Sequence, residues 1–151
     1  MIQIYTGNGK GKTTAAIGLG IRAIGAGKKV LLVQFLKAER SSELKVIRKL
    51  KNFDFKCFGR HGVLKPDDIG EEDSKLVEKG LVFVENNFRK YDVIILDEIN
   101  VVLKLGLISV KRILDILKDS KNREWILTGR GAPKKLKEIA DLVTEFKETK
   151  H

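Results

Sequence analysis

The sequence predicts an α/β fold, a mainly parallel sheet with helices on both faces, from three observations. Short apolar runs alternate with longer helical stretches along the whole chain, which implies βαβ units. The run Val30 to Phe35 is almost wholly apolar, as in a strand covered on both faces. No repeat or linker divides the 151 residues, a length that fits one domain spanning residues 1–151.

Ile2 to Tyr5 reads as a short first strand. Lys12 to Ala26 reads as a helix, closed by Gly27 in the C-terminal cap position. Val30 to Phe35 is the second strand. Ser41 to Leu50 is helical, with Ser41 or Ser42 as N-cap. Phe53 to Phe58 alternates and predicts a third strand, followed by a Gly- and Pro-containing loop from Gly59 to Gly70. Glu71 to Arg89 is a long helix whose first turn carries acids, which suits its dipole. Asp92 to Leu96 is a buried strand, Ser109 to Asp119 a helix and Glu124 to Thr128 a strand. Pro133 fits the first turn of a helix to Ala140, and Leu142 to Phe146 ends the series, giving about six strands. Ligands of such sheets bind beyond the carboxyl ends of the strands. That rule points to the loops after Tyr5, Phe35, Phe58, Leu96 and Thr128.

Composition narrows the function. No apolar run approaches the roughly 20 residues of a membrane helix, so no membrane contact is expected. Met1 to Tyr5 lacks the basic and apolar segments of a secretory signal. Cys57 is the only cysteine, so no internal disulfide forms and a cytoplasmic setting is expected. Net charge is +10, from 30 basic and 20 acidic side chains, which would suit a polyanion. The basic residues are scattered, and no aromatics interleave with them as a base-stacking platform needs. A Lys-rich surface around a polyphosphate site is therefore favoured over nucleic-acid binding.

The first loop carries the chemistry. Thr6-Gly7-Asn8-Gly9-Lys10-Gly11-Lys12-Thr13 lies between an apolar strand and an Ala-rich helix, the frame of a phosphate-binding P-loop. Its glycines let main-chain N–H groups turn toward a polyanion, and the helix N-terminus adds positive potential. Lys12 would neutralise phosphate oxygens, and the Thr13 hydroxyl would hold Mg²⁺. Lys10 is either a second cation of the site or an exposed lysine. The expected fold is thus the three-layer α/β/α P-loop NTPase type, RecA-like.

Asp97 and Glu98 follow the strand Val93-Ile94-Ile95-Leu96, where an acid would complete a metal shell. If the strand ran through both, their side chains would point opposite ways. Thr128-Gly129-Arg130-Gly131 follows the fifth strand, and Arg130 could reach phosphate with its fork. Gln34 and Lys37 end the second strand. Gln34 either finds a backbone partner or faces the site. His61 reads as a solvated loop residue, Cys57 and Trp125 as core.

Thr6-Gly7-Asn8-Gly9-Lys10-Gly11-Lys12-Thr13-Thr14-Ala15-Ala16 resembles the modified P-loop of the ATP:corrinoid adenosyltransferases. So do Val33-Gln34-Phe35-Leu36-Lys37, Leu96-Asp97-Glu98-Ile99-Asn100 and Leu127-Thr128-Gly129-Arg130-Gly131, in order and spacing. The resemblance covers nearly the whole chain. It implies transfer of the 5′-deoxyadenosyl group of ATP to the Co(I) ion of a corrinoid, with release of triphosphate. It implies ATP bound in reverse, exposing C5′, with cobalt as nucleophile and no protein base. By that resemblance Gly7 to Thr14 would hold the polyphosphate and Thr13 with Glu98 would hold Mg²⁺ or Mn²⁺; from the residues themselves, Asp97 is a further metal candidate and Lys12 and Arg130 would stabilise the leaving group. Family members carry a Phe–Trp pair after the third strand. Here that loop reads Phe58-Gly59-Arg60-His61-Gly62, without tryptophan, so Phe58, Arg60 and His61 are the corrinoid candidates. A homodimer and an electron-donor protein delivering Co(I) are also implied. The competing readings are an ATPase acting on nucleic acid and a small-molecule kinase.

Overall fold

The structure is a computed structural model and describes residues 1–61, 65–118 and 122–150. Six strands form one sheet: β1 (Ile2–Thr6), β2 (Val30–Phe35), β3 (Phe53–Phe58), β4 (Val93–Asp97), β5 (Glu124–Thr128) and β6 (Leu142–Glu145). Their order is β3-β2-β4-β5-β1-β6, and every pairing is parallel. Helices are α1 (Lys12–Gly25), α2 (Ser42–Ile47), α3 (Glu71–Asn87), α4 (Ile99–Lys104), α5 (Val110–Lys118) and α6 (Lys134–Ile139).

Strand alternation sorts the apolar side chains into two layers. Leu31, Val33 and Phe35 of β2 and Ile94 and Leu96 of β4 pack with Val77 and Leu81 of α3, Val102 of α4 and Ile113 of α5. Val30 and Leu32, with Val93, Ile95 and Ile126, pack on the other face against Ala16 and Ile17 of α1 and Leu44 and Ile47 of α2. The expected three layers are present, and Trp125 is fully buried. No described helix is long and apolar enough to cross a membrane.

Boundaries shift at several ends. The helix expected over Ser41 to Leu50 is six residues, with Ser41 in extended conformation at its N-cap. The helix expected to reach Arg89 ends at Asn87, and Phe88–Lys90 form a 3₁₀ turn. Asp119, the expected end of α5, lies outside the described residues, as does Gly62 of the β3 loop. Helix α4 was not anticipated. Its six residues follow the strand–acid motif directly and lack the length that makes helical periodicity visible.

Candidate active site

The carboxyl ends of β1, β2, β4 and β5 meet the N-terminus of α1, as the strand-end rule requires. The site is built on two sides of Thr13.

On one side is the glycine loop. Gly7 and Gly11 lie in the left-handed region, at φ 99° and 105°. The Lys12 ammonium, 9 % exposed, donates to the carbonyl oxygens of Gly7 (2.8 Å) and Gly9 (2.5 Å). Burial pulls its pKa down, and the Arg130 charge pulls it further, against the acids Glu98, Glu148 and Asp97. Arg130 is exposed but close enough to act on Lys12 through its field. Thr14, Asn8 and Lys10 are exposed.

The glycines have a second task. The segment after β6 runs along the back of the loop. Phe146 donates its N–H to Thr6 O (2.8 Å) and accepts the Gly9 N–H (2.8 Å). A Cβ at Gly7 would lie 2.4 Å from Phe146 O, and one at Gly9 2.8 Å from Phe146 C. The expectation that the Gly9 amide turns toward a polyanion is therefore corrected: it is bonded to the C-terminal segment. Thr6 is corrected likewise. It is 5 % exposed, and its hydroxyl accepts the Ala132 N–H at 3.1 Å, so it ties β1 to the β5 loop.

On the other side is a polar layer across the sheet. Gln34 is in register with Cys57 of β3 and Asp97 of β4. These residues share the α1 face with Thr128 of β5. Asp97 is fully buried. Its Oδ1 accepts hydroxyl hydrogen bonds from Thr13 (2.7 Å) and Thr128 (2.6 Å). Its Oδ2 accepts from Gln34 Nε2 and Lys37 Nζ, both at 3.2 Å. Gln34 thus finds a side-chain partner at the site and not a backbone one.

The strand stops at Asp97, so the two acids do not diverge. Glu98 turns at φ 65°, and its N–H donates to Thr128 Oγ1 at 3.0 Å. This turn leaves the Glu98 carboxylate 25 % exposed and 3.5 Å from Lys37 Nζ. Burial lowers the Lys37 pKa, but the charges of Asp97 and Glu98 and the hydrogen bonds to them outweigh it and hold the ammonium above its usual value. Asn100, buried in α4, donates to the carbonyls of Leu127 and Gly129, both at 3.2 Å, and so locks the β5 end against the acid turn.

A cleft of about 340 Å³ opens between Thr13, Thr14, Ile17, Gly18, Ile21, Lys37 and Glu43. Its Ile17 and Ile21 walls give it an apolar lining beside the acid pair. The Cys57 thiol, at the end of the polar layer, is pushed up to about 11, chiefly by burial.

The β3 loop is placed differently from expectation. Phe58 is 7 % exposed and packs against Phe35 and Phe83, so the expected aromatic contact for a corrinoid is a core residue. Arg60 makes a bidentate pair with Asp73, at 2.9 and 2.8 Å, which fixes the loop to the first turn of α3. That hydrogen bonding holds the Asp73 carboxyl below its ordinary value despite burial. Both side chains are committed to the fold, while His61 is exposed.

Lys37 and Thr128 are the residues that sequence reasoning undervalued. The available signal was depth: Gln34, Asp97 and Thr128 each stand at the last inward position of an apolar strand, on one face.

The model of the family "ATP:corrinoid adenosyltransferase BtuR/CobO/CobP" matches residues 1–151. A Pseudomonas aeruginosa corrinoid adenosyltransferase is 33 % identical over all of this chain and 76 % of its own length. One from Sinorhizobium sp. is 34 % identical over all of this chain and 73 % of its own. An uncharacterized Nostoc protein is 39 % identical over 99 % of this chain, which spans only 44 % of that protein. On the whole-chain match and these relatives, the chain belongs to the ATP:corrinoid adenosyltransferase family.

Proposed function

We propose that this protein transfers the 5′-deoxyadenosyl group of ATP to the Co(I) ion of a corrinoid. The observation that carries the reading is a phosphate loop and a paired-acid pocket meeting at Thr13, in a chain that the family matches over its whole length. Thr13 Oγ1 lies 2.7 Å from Asp97 Oδ1, and the one thiol in the chain stays protonated with a pKa near 11. In the reaction of this family the attacking atom comes from the second substrate, the corrinoid. Co(I) supplies an electron pair to C5′, the Co–C bond forms, the C5′–O bond breaks, and triphosphate departs with the pair.

The protein's part is positioning and charge stabilisation. The loop from Gly7 to Thr14 holds the polyphosphate through groups other than the Gly9 amide, with Lys12 and Arg130 drawing off charge as the leaving group develops. Thr13, Asp97 and Glu98 offer oxygen donors, which fit a hard ion such as Mg²⁺ or Mn²⁺. When bound, that ion would neutralise triphosphate charge. The cleft along Ile17 and Ile21 sets an apolar wall next to the acid pocket. A homodimer, a cytoplasmic setting and an electron-donor protein are part of the same reading.

The test is to mix the protein with ATP, Mg²⁺ and chemically reduced cobalamin. A photolabile Co–C spectrum together with stoichiometric triphosphate is expected. Release of ADP or orthophosphate without that spectrum, across several corrinoids, would replace this reading with a kinase or an ATPase.

A further inference from the structure

The Lys37 ammonium sits between the two acids, 3.2 Å from Asp97 Oδ2 and 3.5 Å from Glu98 Oε1. The chain is bent to bring it there. Leu36, just before it, lies in the left-handed region at φ 62°, and Glu98, across from it, at φ 65°. Non-glycine residues held so are strained, and such strain gathers where function needs it. The neighbouring loop is cleared as well: a Cβ at Gly59 would lie 2.3 Å from Lys37 N.

Resting on the reading that Thr13, Asp97 and Glu98 hold a divalent ion, we propose that Lys37 is the resident cation of this pocket. It is a positioning residue that bars a free divalent ion and gives way when the ion arrives with a triphosphate. An ion bonded to these acids would lie within a few ångströms of Nζ, where like charges in a partly buried site repel strongly. The two cations cannot share the position. Among the described residues no group of three or more His, Cys, Asp or Glu could hold a metal by itself. Water and the oxygens of a triphosphate would complete the shell. The triphosphate also gives the displaced ammonium a new partner. The Lys37 side chain is 35 % exposed on a flexible stem, so it can turn toward that anion. Asp97, fully buried, stays paired throughout, which matters because a buried carboxylate stripped of its partner is strongly destabilising.

Mn²⁺ titration of the nucleotide-free protein, followed by EPR, compares wild type with Lys37→Gln and Lys37→Arg. Wild type and Lys37→Arg are expected to hold Mn²⁺ weakly and Lys37→Gln at least about tenfold more tightly, while wild type and Lys37→Gln both take up Mn²⁺ with ATP. Equal Mn²⁺ affinity in wild type and Lys37→Gln, with ATP-dependent uptake intact, overturns the proposal and leaves the metal reading standing. Absence of Mn²⁺ from every protein even with ATP removes both. Far-UV CD checks that Lys37→Gln folds. A measurement on the unsubstituted chain is independent of that variant. Reductive methylation keeps the lysine charge, and the Lys37 NMR signal is identified by its loss in Lys37→Arg. That signal is expected to hold still under Mg²⁺ and to move with MgATP. Movement under Mg²⁺ alone overturns the proposal.

Discussion

The two sides of Thr13 are held by opposite means. The phosphate loop is fixed through main-chain atoms: Phe146 bonds to Thr6 O and Gly9 N, and Lys12 bonds back to the Gly7 and Gly9 carbonyls. The acid pocket is fixed through side chains, with Asp97 accepting from Thr13, Thr128, Gln34 and Lys37. A main-chain scaffold tolerates many side chains but no added Cβ at its points of closest approach. A side-chain network tolerates backbone neighbours but not the loss of its hub. The two sides should therefore fail under different substitutions.

The hub should fail hardest. Asp97→Ala leaves two hydroxyls, an amide and an ammonium without their shared acceptor in a buried site. Loss of a buried charge partner costs about 3–5 kcal/mol. Urea unfolding is expected to show a loss of that size. A loss under about 1 kcal/mol would mean that water replaces the carboxylate and that the pocket is no network.

The loop should fail next, and by another route. Gly7→Ala adds a Cβ at φ 99° and 2.4 Å from Phe146 O. The left-handed backbone alone costs an L-residue about 1–2 kcal/mol, and the clash adds to it. Stability is expected to fall by about 2–3 kcal/mol, and ATP affinity, read by calorimetry, more than about tenfold. ATP affinity unchanged in a folded Gly7→Ala protein would detach the glycine from the phosphate site.

The same division explains what the sequence could reveal. The glycine loop and the strand–acid run were legible because each is a local pattern: glycines between strand and helix, acids ending Val93-Ile94-Ile95-Leu96. Strands β2, β4 and β5 were legible from near-continuous apolar runs and β3 from its alternation, and with them the parallel sheet. What stayed hidden was every feature that depends on two distant segments meeting. Gly9 reads as a phosphate glycine until Phe146, from the far end of the chain, is seen against it. Phe58 reads as a free loop aromatic until Phe35 and Phe83 close over it. Gln34 and Lys37 gain meaning only when β2 lies beside β4, in the register that pairs Gln34 with Asp97. Helix α4 was missed for a local reason, since six residues give too little periodicity to separate from a loop.

The smallest expected effect tests the comparison most finely. The Phe146 ring is half-buried, 5.8 Å from the Tyr5 ring and tilted by 51°. An aromatic pair of this kind adds about 0.5–1.5 kcal/mol. Phe146→Ala removes the ring but keeps the N–H donated to Thr6 and the carbonyl that accepts from Gly9, since both belong to the main chain. If the loop is held by its backbone, the variant loses about 1 kcal/mol in thermal unfolding and its ATP affinity changes by less than about threefold. A drop of about tenfold or more in ATP affinity would give the ring a direct part in nucleotide binding. The glycine side would then depend on a side chain as the acid side does.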